Sequence, residues 1–211
     1  MVPWMEERWD FDSWAESYDE DVMSDGWIHS DYERVLRLVA ERAKGVVVDV
    51  GCGTGNILRF LRCERYIGVE PSEGMRKAFR EKWGFEPIDG HFLEIPLPEG
   101  SADTVVSTYA FHHVPDEEKG EAIREMLRVL RPGGILIIAD VMFESEDEKR
   151  RIGEEDGILE EVLEEYFATL DHLGAIFERL GVYWEAERVN RYVWVVAVEK
   201  HSNLLTPDHN P

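Results

Sequence analysis

The chain has 211 residues, a length that fits one α/β domain with a single core, and it carries 45 acidic against 23 basic residues for a net charge of -22. That charge repels phosphate backbones and anionic bilayers, so no nucleic-acid or membrane partner is expected. Two cysteines, Cys52 and Cys63, make no disulfide framework; no run approaches the ~20 apolar residues of a membrane span, and the first residues lack the plan of a signal peptide, so the reading is cytoplasmic.

Residues 1–29 mix aromatics with acids, and Phe11, Trp14, Ala15 and Tyr18 recur at helical steps. A helix this aromatic must cover something, either the sheet or a ligand, and 1–29 is read as a helical lid. A second helix spans Asp31 to Arg42. Val46–Val50 is a buried strand with one acid, Asp49, inside it. Glycines then alternate at Gly51, Gly53 and Gly55, which reads as a tight turn whose backbone approaches a ligand closely, and a helix is expected to start at Asn56.

Tyr66–Glu70 is the second strand, followed by a helix capped by Ser72 and stopped by Gly84. Short strand Phe85–Ile88 comes third and Asp103–Tyr109 fourth. A helix over Asp116–Leu130 leads through Pro132-Gly133-Gly134 into the fifth strand, Ile135–Asp140. The stretch Glu144–Glu155 reads as an acidic loop. Apolar residues between 158 and 180 mark one or two helices, with a break near Thr169–Asp171 or Gly174. Val182–Val189 and Tyr192–Glu199 form a hairpin about Asn190-Arg191, and residues 201–211 read as a disordered tail. Alternating strands and helices argue for an α/β fold with a parallel sheet and right-handed crossovers; the closing hairpin adds one antiparallel strand.

Glu70 ends the second strand about twenty residues after Asp49, where an acid is placed to accept both hydroxyls of a ribose. A dinucleotide site would need G-x-G-x-x-G, and Asn56 stands where the third glycine belongs. The string Asp49-Val50-Gly51-Cys52-Gly53-Thr54-Gly55 instead resembles motif I of the class I S-adenosylmethionine (SAM) methyltransferases. Three further stretches extend the resemblance: Phe11–Asp19 is similar to F-D-x-x-A-x-x-Y-D, Ser107–Val114 to S-x-x-A-x-H-H-[VL], and Arg128–Gly134 to R-V-L-R-P-G-G. It is closest to a small bacterial family of SAM-dependent methyltransferases without an assigned acceptor, and more distant from the quinone-biosynthesis methyltransferases.

The resemblance implies a three-layer Rossmann-like fold on a seven-stranded, mostly parallel sheet, with the methyltransferase domain over 30–200. It implies SAM as cofactor, S-adenosylhomocysteine (SAH) as product, and a small-molecule acceptor. The backbone of Gly51, Cys52, Gly53 and Gly55 would hold the methionine part, with Asp49 near its amino group and Tyr18 over the site. Pro71, Ser72 and Met75 would pack on the adenine. His91 stands where the family has an adenine-binding acid; its imidazole could accept a hydrogen bond, Phe92 could offer its N–H, and Asp89 is the alternative acid. Thr108 and Tyr109 close the fourth strand, where ligands sit.

Methyl transfer from a sulfonium needs alignment and exclusion of water, and a base only where the acceptor carries a proton. His112 and Tyr109 are placed by type to take that proton, while His113 reads as structural. Adjacent histidines lack metal-ligand spacing, so no metal is expected. Arg191, on the hairpin turn, is a fixed cation suited to an anionic acceptor, with Tyr166 nearby. The protein is expected to be a monomer or homodimer. Two other readings remain open at this stage: a non-catalytic SAM-binding protein, and a dinucleotide-dependent oxidoreductase.

Overall fold

The computed structural model describes residues 10–24 and 26–201. Residues 1–9 of the expected lid, and all of the expected tail except His201, lie outside the described residues. Short helices α1 (Phe11–Trp14) and α2 (Tyr18–Met23) replace the single N-terminal helix, and α3 spans Tyr32–Arg42. The sheet begins with β1 (Val46–Val50), β2 (Arg65–Val69) and β3 (Ala102–Thr108), with α4 (Glu73–Trp83) between the last two. Then follow α5 (Lys119–Val129), β4 (Leu130–Phe143), α6 (Glu146–Asp156), α7 (Leu159–Glu164), β5 (Ala168–Thr169), α8 (Leu170–Leu180), β6 (Tyr183–Arg188) and β7 (Val193–Glu199).

The seven strands make one mixed sheet in the order β2-β1-β3-β4-β7-β6, with β5 against β4. The pairs β1–β2, β1–β3 and β3–β4 are parallel, whereas β7 runs antiparallel to both β4 and β6. Side chains on one face of the sheet pack with Ile123 and Met126 of α5 and Leu173 and Phe177 of α8. Those on the other face pack with Leu36 of α3, Ile152 of α6 and Val162 of α7, which completes three layers.

Three expected elements change. The third strand, 85–88, shrinks to a single parallel bridge between Val69 and Ile88, and β5 supplies the seventh strand. The helix after the glycine loop is one 3-10 turn, Asn56–Arg59. The Asn56 side chain is turned sideways into bonds with Asp19, Tyr32 and Lys82 instead of capping a longer helix. The expected acidic loop is helix α6, with Ser145 capping it and three acids in its first turn facing the positive end of the helix dipole. Only Lys149, Ile152 and Gly153 of α6 are buried, so it showed no apolar period. Gly174 does not break α8; a Cβ there would come within 3.0 Å of Trp184, so it marks close packing.

Candidate active site

The carboxyl ends of the parallel strands open into a cleft of about 880 Å³, measured out to its mouth. Gly51 and Gly53 after β1, Glu70 and Pro71 after β2, and Tyr109, Ala110, His112 and His113 after β3 form its floor. Phe11, Trp14 and Tyr18 from the N-terminal helices form its roof.

The glycine loop presents bare backbone. Gly53 has φ +52°, and a Cβ there would meet only the Tyr18 ring, 3.9 Å away, so the space above it belongs to the cleft. Two buried carboxylates flank the loop. Glu70 accepts hydrogen bonds from the backbone N–H of Gly53 at 2.8 Å and of Ser72 at 2.9 Å. Asp49 accepts from the Tyr66 hydroxyl at 2.8 Å through one oxygen, while its other oxygen, Oδ1, is buried with no hydrogen-bond partner among the described residues. Burial pushes both carboxyls up to about 7, and the Glu70 charge adds to the cost of ionising Asp49. A bare loop, an orphaned carboxylate oxygen and a second carboxylate with lone pairs to spare fit a ligand that carries hydroxyls and a cationic group.

Two acids of the N-terminal segment clamp the roof onto this floor. Asp12 accepts from the Ser72 hydroxyl at 2.5 Å and from Gly74 N–H at 2.8 Å, over the first turn of α4. A Cβ on Gly74 would fall 2.6 Å from the Asp12 Cα, so only glycine admits the segment there. Asp19 accepts from the Thr54 hydroxyl at 2.6 Å, the Asn56 amide at 3.0 Å and the Lys82 ammonium at 2.6 Å. These are the two aspartates of the Phe11–Asp19 motif.

The far end of the cleft is a polar corner. His112 Nδ1 lies 2.8 Å from Asp140 Oδ1, and its backbone N–H donates to Asp140 Oδ2 at 2.9 Å. Asp140 also accepts from Val141 N–H, so it acts as an acceptor throughout and His112 donates to it through Nδ1. The rings of His112 and His113 are 4.0 Å apart, and Phe11 meets His113 edge-on at 5.0 Å. Glu165, from the segment after α7, completes the corner; one ligand atom from each of His112, His113 and Glu165 lies within 4.8 Å of the others. Tyr109 holds the unusual φ of +52° and packs on Tyr32 and His29 at 5.1 and 5.4 Å. Burial raises its phenol far above the ordinary value and lowers His29 to about 4, so both are neutral at physiological pH.

Of the residues singled out in the sequence, Tyr18, Gly51, Gly53, Glu70, Pro71, Met75, His91, Phe92, Tyr109 and His112 line the cleft. Asp49, Cys52, Gly55, Ser72 and Thr108 stand behind that lining: Cys52 and Gly55 shape the loop, and Ser72 serves as the latch for Asp12. The Nδ1 of His91 accepts from Leu93 N–H at 3.2 Å, so its other ring nitrogen carries the proton and donates, contrary to the expected acceptor. Asp89, the alternative acid, faces solvent in an ion pair with Arg76.

The hairpin turn does lie at the carboxyl end of the sheet, since Val193 pairs with Val141. Arg191, however, is outside the cleft, bound to Asp156 at 2.6 Å and Glu155 at 2.7 Å on α6. The tyrosine at 166 is not in the lining either; its neighbour Glu165 is. Glu165, distant from the two histidines in sequence, stands beside them in the fold, so their adjacency alone does not exclude a metal. Asp12, Asp19, Asp140 and Glu165 had escaped the sequence reading of the site. The two early aspartates were visible in their motif, whereas nothing local distinguishes Glu165 from Glu160, Glu161 and Glu164 beside it.

Comparison with known proteins shows the family and the fold. Residues 48–138 match the family model described as a methyltransferase domain. An uncharacterised methyltransferase of Geobacillus sp. (strain WCH70) is 39% identical over 206 residues, covering 90% of this chain and 96% of its own. Among solved structures, the complex of the Haloferax volcanii Trm112 activator with a methyltransferase aligns at TM-score 0.68 and 20% identity, covering 91% of this chain and 98% of the matched one. A complex of DhpI with SAM and HEP aligns at TM-score 0.68 and 19% identity, covering 90% and 94% of the two chains.

Proposed function

The chain belongs to the SAM-dependent methyltransferases, and from that premise we propose that its acceptor is a small molecule, methylated in the polar corner at His112. The observation that carries this reading is the cleft: one chamber, roofed by Phe11, Trp14 and Tyr18, runs from the glycine loop to the His112–Asp140 pair. A macromolecular acceptor would have to displace that roof, and a nucleic acid would also meet the charge of -22. The free cysteines Cys52 and Cys63 support a reducing, cytoplasmic setting.

In this reading Glu70 takes the ribose hydroxyls with the lone pairs that Gly53 and Ser72 leave free. The orphaned Oδ1 of Asp49 serves the amino group, directly or through water. Pro71 and Met75 sandwich the purine, and His91 donates its ring N–H to a purine nitrogen. SAM, when bound, supplies a methyl already activated by its sulfonium. The protein's part is alignment and dryness: the aromatic roof excludes water, and the positive φ of Tyr109 aims a neutral phenol that donates a hydrogen bond and takes no proton. Asp140 fixes the His112 ring through Nδ1, which leaves Nε2 for the acceptor end of the cleft.

The test is in two stages. Isothermal titration should give saturable SAH binding to the protein and none to NAD; no SAH binding would overturn the site. Screening metabolite pools for SAM-dependent SAH release should then find a small acceptor, and turnover only with protein or RNA fractions would overturn the small-molecule assignment.

A further inference from the structure

We propose that His112, His113 and Glu165 form a binding site for one divalent first-row transition-metal ion, of the kind that Zn²⁺ probes, at the acceptor end of the cleft. The proposal rests on the reading of that corner as the place where the acceptor sits, and it names what the His112 lone pair holds there.

Four observations converge. Two imidazole nitrogens and a carboxylate oxygen lie within 4.8 Å of one another, the donor set of an open catalytic site with three protein ligands and a vacant fourth position. A tetrahedral set at ordinary bond lengths has ligand atoms about 3.4 Å apart, so the cluster has to contract from its 4.8 Å limit when an ion binds. His112 is oriented as metal-bound histidines are, with Nδ1 on a carboxylate and Nε2 left for the ion. That carboxylate is itself fixed by the N–H groups of His112 and Val141.

The third observation is Glu165. Its Oε2 is buried and has no hydrogen-bond partner among the described residues, an expense that a cation would relieve. The buried cation nearby does not serve it: Lys119 donates to the Val114 and Tyr166 carbonyls and pairs with Asp116 at 3.2 Å. The fourth is charge. Glu165 and Asp140 together offset the two positive charges of the ion, so the loaded corner is neutral. All three ligand residues line the cleft, which leaves the fourth position to an acceptor oxygen, sulfur or nitrogen. An acceptor bound there is acidified by the ion and releases its proton to solvent, and no separate base is then required.

The experiment uses tag-free protein, stripped with chelator and titrated with Zn²⁺ and with Co²⁺, with SAH binding measured in parallel. One equivalent should bind, and Co²⁺ should develop the visible bands of a site with nitrogen and oxygen ligands. Glu165→Gln and His113→Ala should each abolish that stoichiometric binding, while Asp140→Asn weakens it 10- to 100-fold. SAH affinity should stay the same in Glu165→Gln, so a failed metal site is distinguishable from a failed cofactor site. Glu165 is partly exposed, so its variant tests the idea even where Asp140→Asn does not fold. Absence of saturable binding, or equal binding in Glu165→Gln, as surface carboxylates would give, overturns the proposal.

Discussion

The two ends of the cleft are built differently. The proposed cofactor end comes mostly from one stretch of chain: Asp49, Gly51, Gly53, Glu70, Pro71 and Met75 fall within β1, β2, the loops that follow them and the first turn of α4. The acceptor corner is assembled from Tyr109, His112 and His113 after β3, Asp140 inside β4 and Glu165 beyond α7. A cofactor common to a family can be held by local backbone geometry, and that leaves a readable spacing. An acceptor particular to one protein is held by whichever side chains the layers bring together, and those keep no spacing at all.

The largest expected effect breaks the corner alone. His112→Ala should lower kcat by about 100- to 10,000-fold, the size of effect expected when a group that activates the acceptor is removed. SAH affinity should not move, because no contact of His112 reaches the glycine loop. A matching loss of SAH binding in calorimetry would show that the two ends are one unit.

Breaking the other end should give the converse. Glu70→Ala removes hydrogen bonds to a charged group, worth about 1–3 kcal/mol, so SAH should bind roughly 10- to 100-fold more weakly. It also strips partners from Gly53 and Ser72 N–H, so the Glu70→Gln variant, which keeps an acceptor, should retain more of the affinity. Equal losses in both variants would point to the loop's shape in place of the carboxylate.

Acidity sharpens the contrast further. Glu70 and Asp49 titrate near 7 because both are buried, and a ligand offering hydroxyls and an ammonium needs them ionised. SAH affinity should therefore fall as pH drops below 7, by up to about tenfold per unit for each group that must ionise. Stability without ligand moves the other way. With folded values above the ordinary 4.5 and 3.8, the stabilisation from these carboxyls is full below about pH 4 and is lost as pH rises through 7. Thermal melts with and without SAH across pH 5–8 check both signs at once.

This division explains what was legible. The parallel strands were readable because a strand buried on both faces is a continuous apolar run, and the glycine loop because bare backbone demands glycine. Helix α6 was missed because an exposed acidic helix held by its cap and its Arg151–Glu155 pair has no apolar stripe. Arg191 was placed at the right end of the sheet, but its two carboxylate partners come from that unread helix. Glu165 was illegible because its importance lies only in contacts across the fold.

The smallest effect concerns the roof, which belongs to neither end and touches both. Val22 of α2 anchors it in the core, and its hold on the floor is polar and partly exposed: Asp12 on Ser72 and Gly74, Asp19 on Thr54, Asn56 and Lys82. Exposed bonds of this kind contribute about 0.5–1.5 kcal/mol each, which suits a cover that must open for cofactor exchange. Asp12→Ala should leave the sheet's stability unchanged and lower the closed fraction, so SAH affinity should fall only a few-fold, in proportion to that fraction. Gly74→Ala should do the same by pushing the segment's backbone outward from its 2.6 Å approach. Hydrogen exchange separates a cover from ordinary core: amides of α1 and α2 should gain protection when SAH is added, and lose that gain in Asp12→Ala. Equal protection with and without SAH in the unmodified protein would make the segment a fixed wall, and the few-fold loss would then report damage to the first turn of α4 instead.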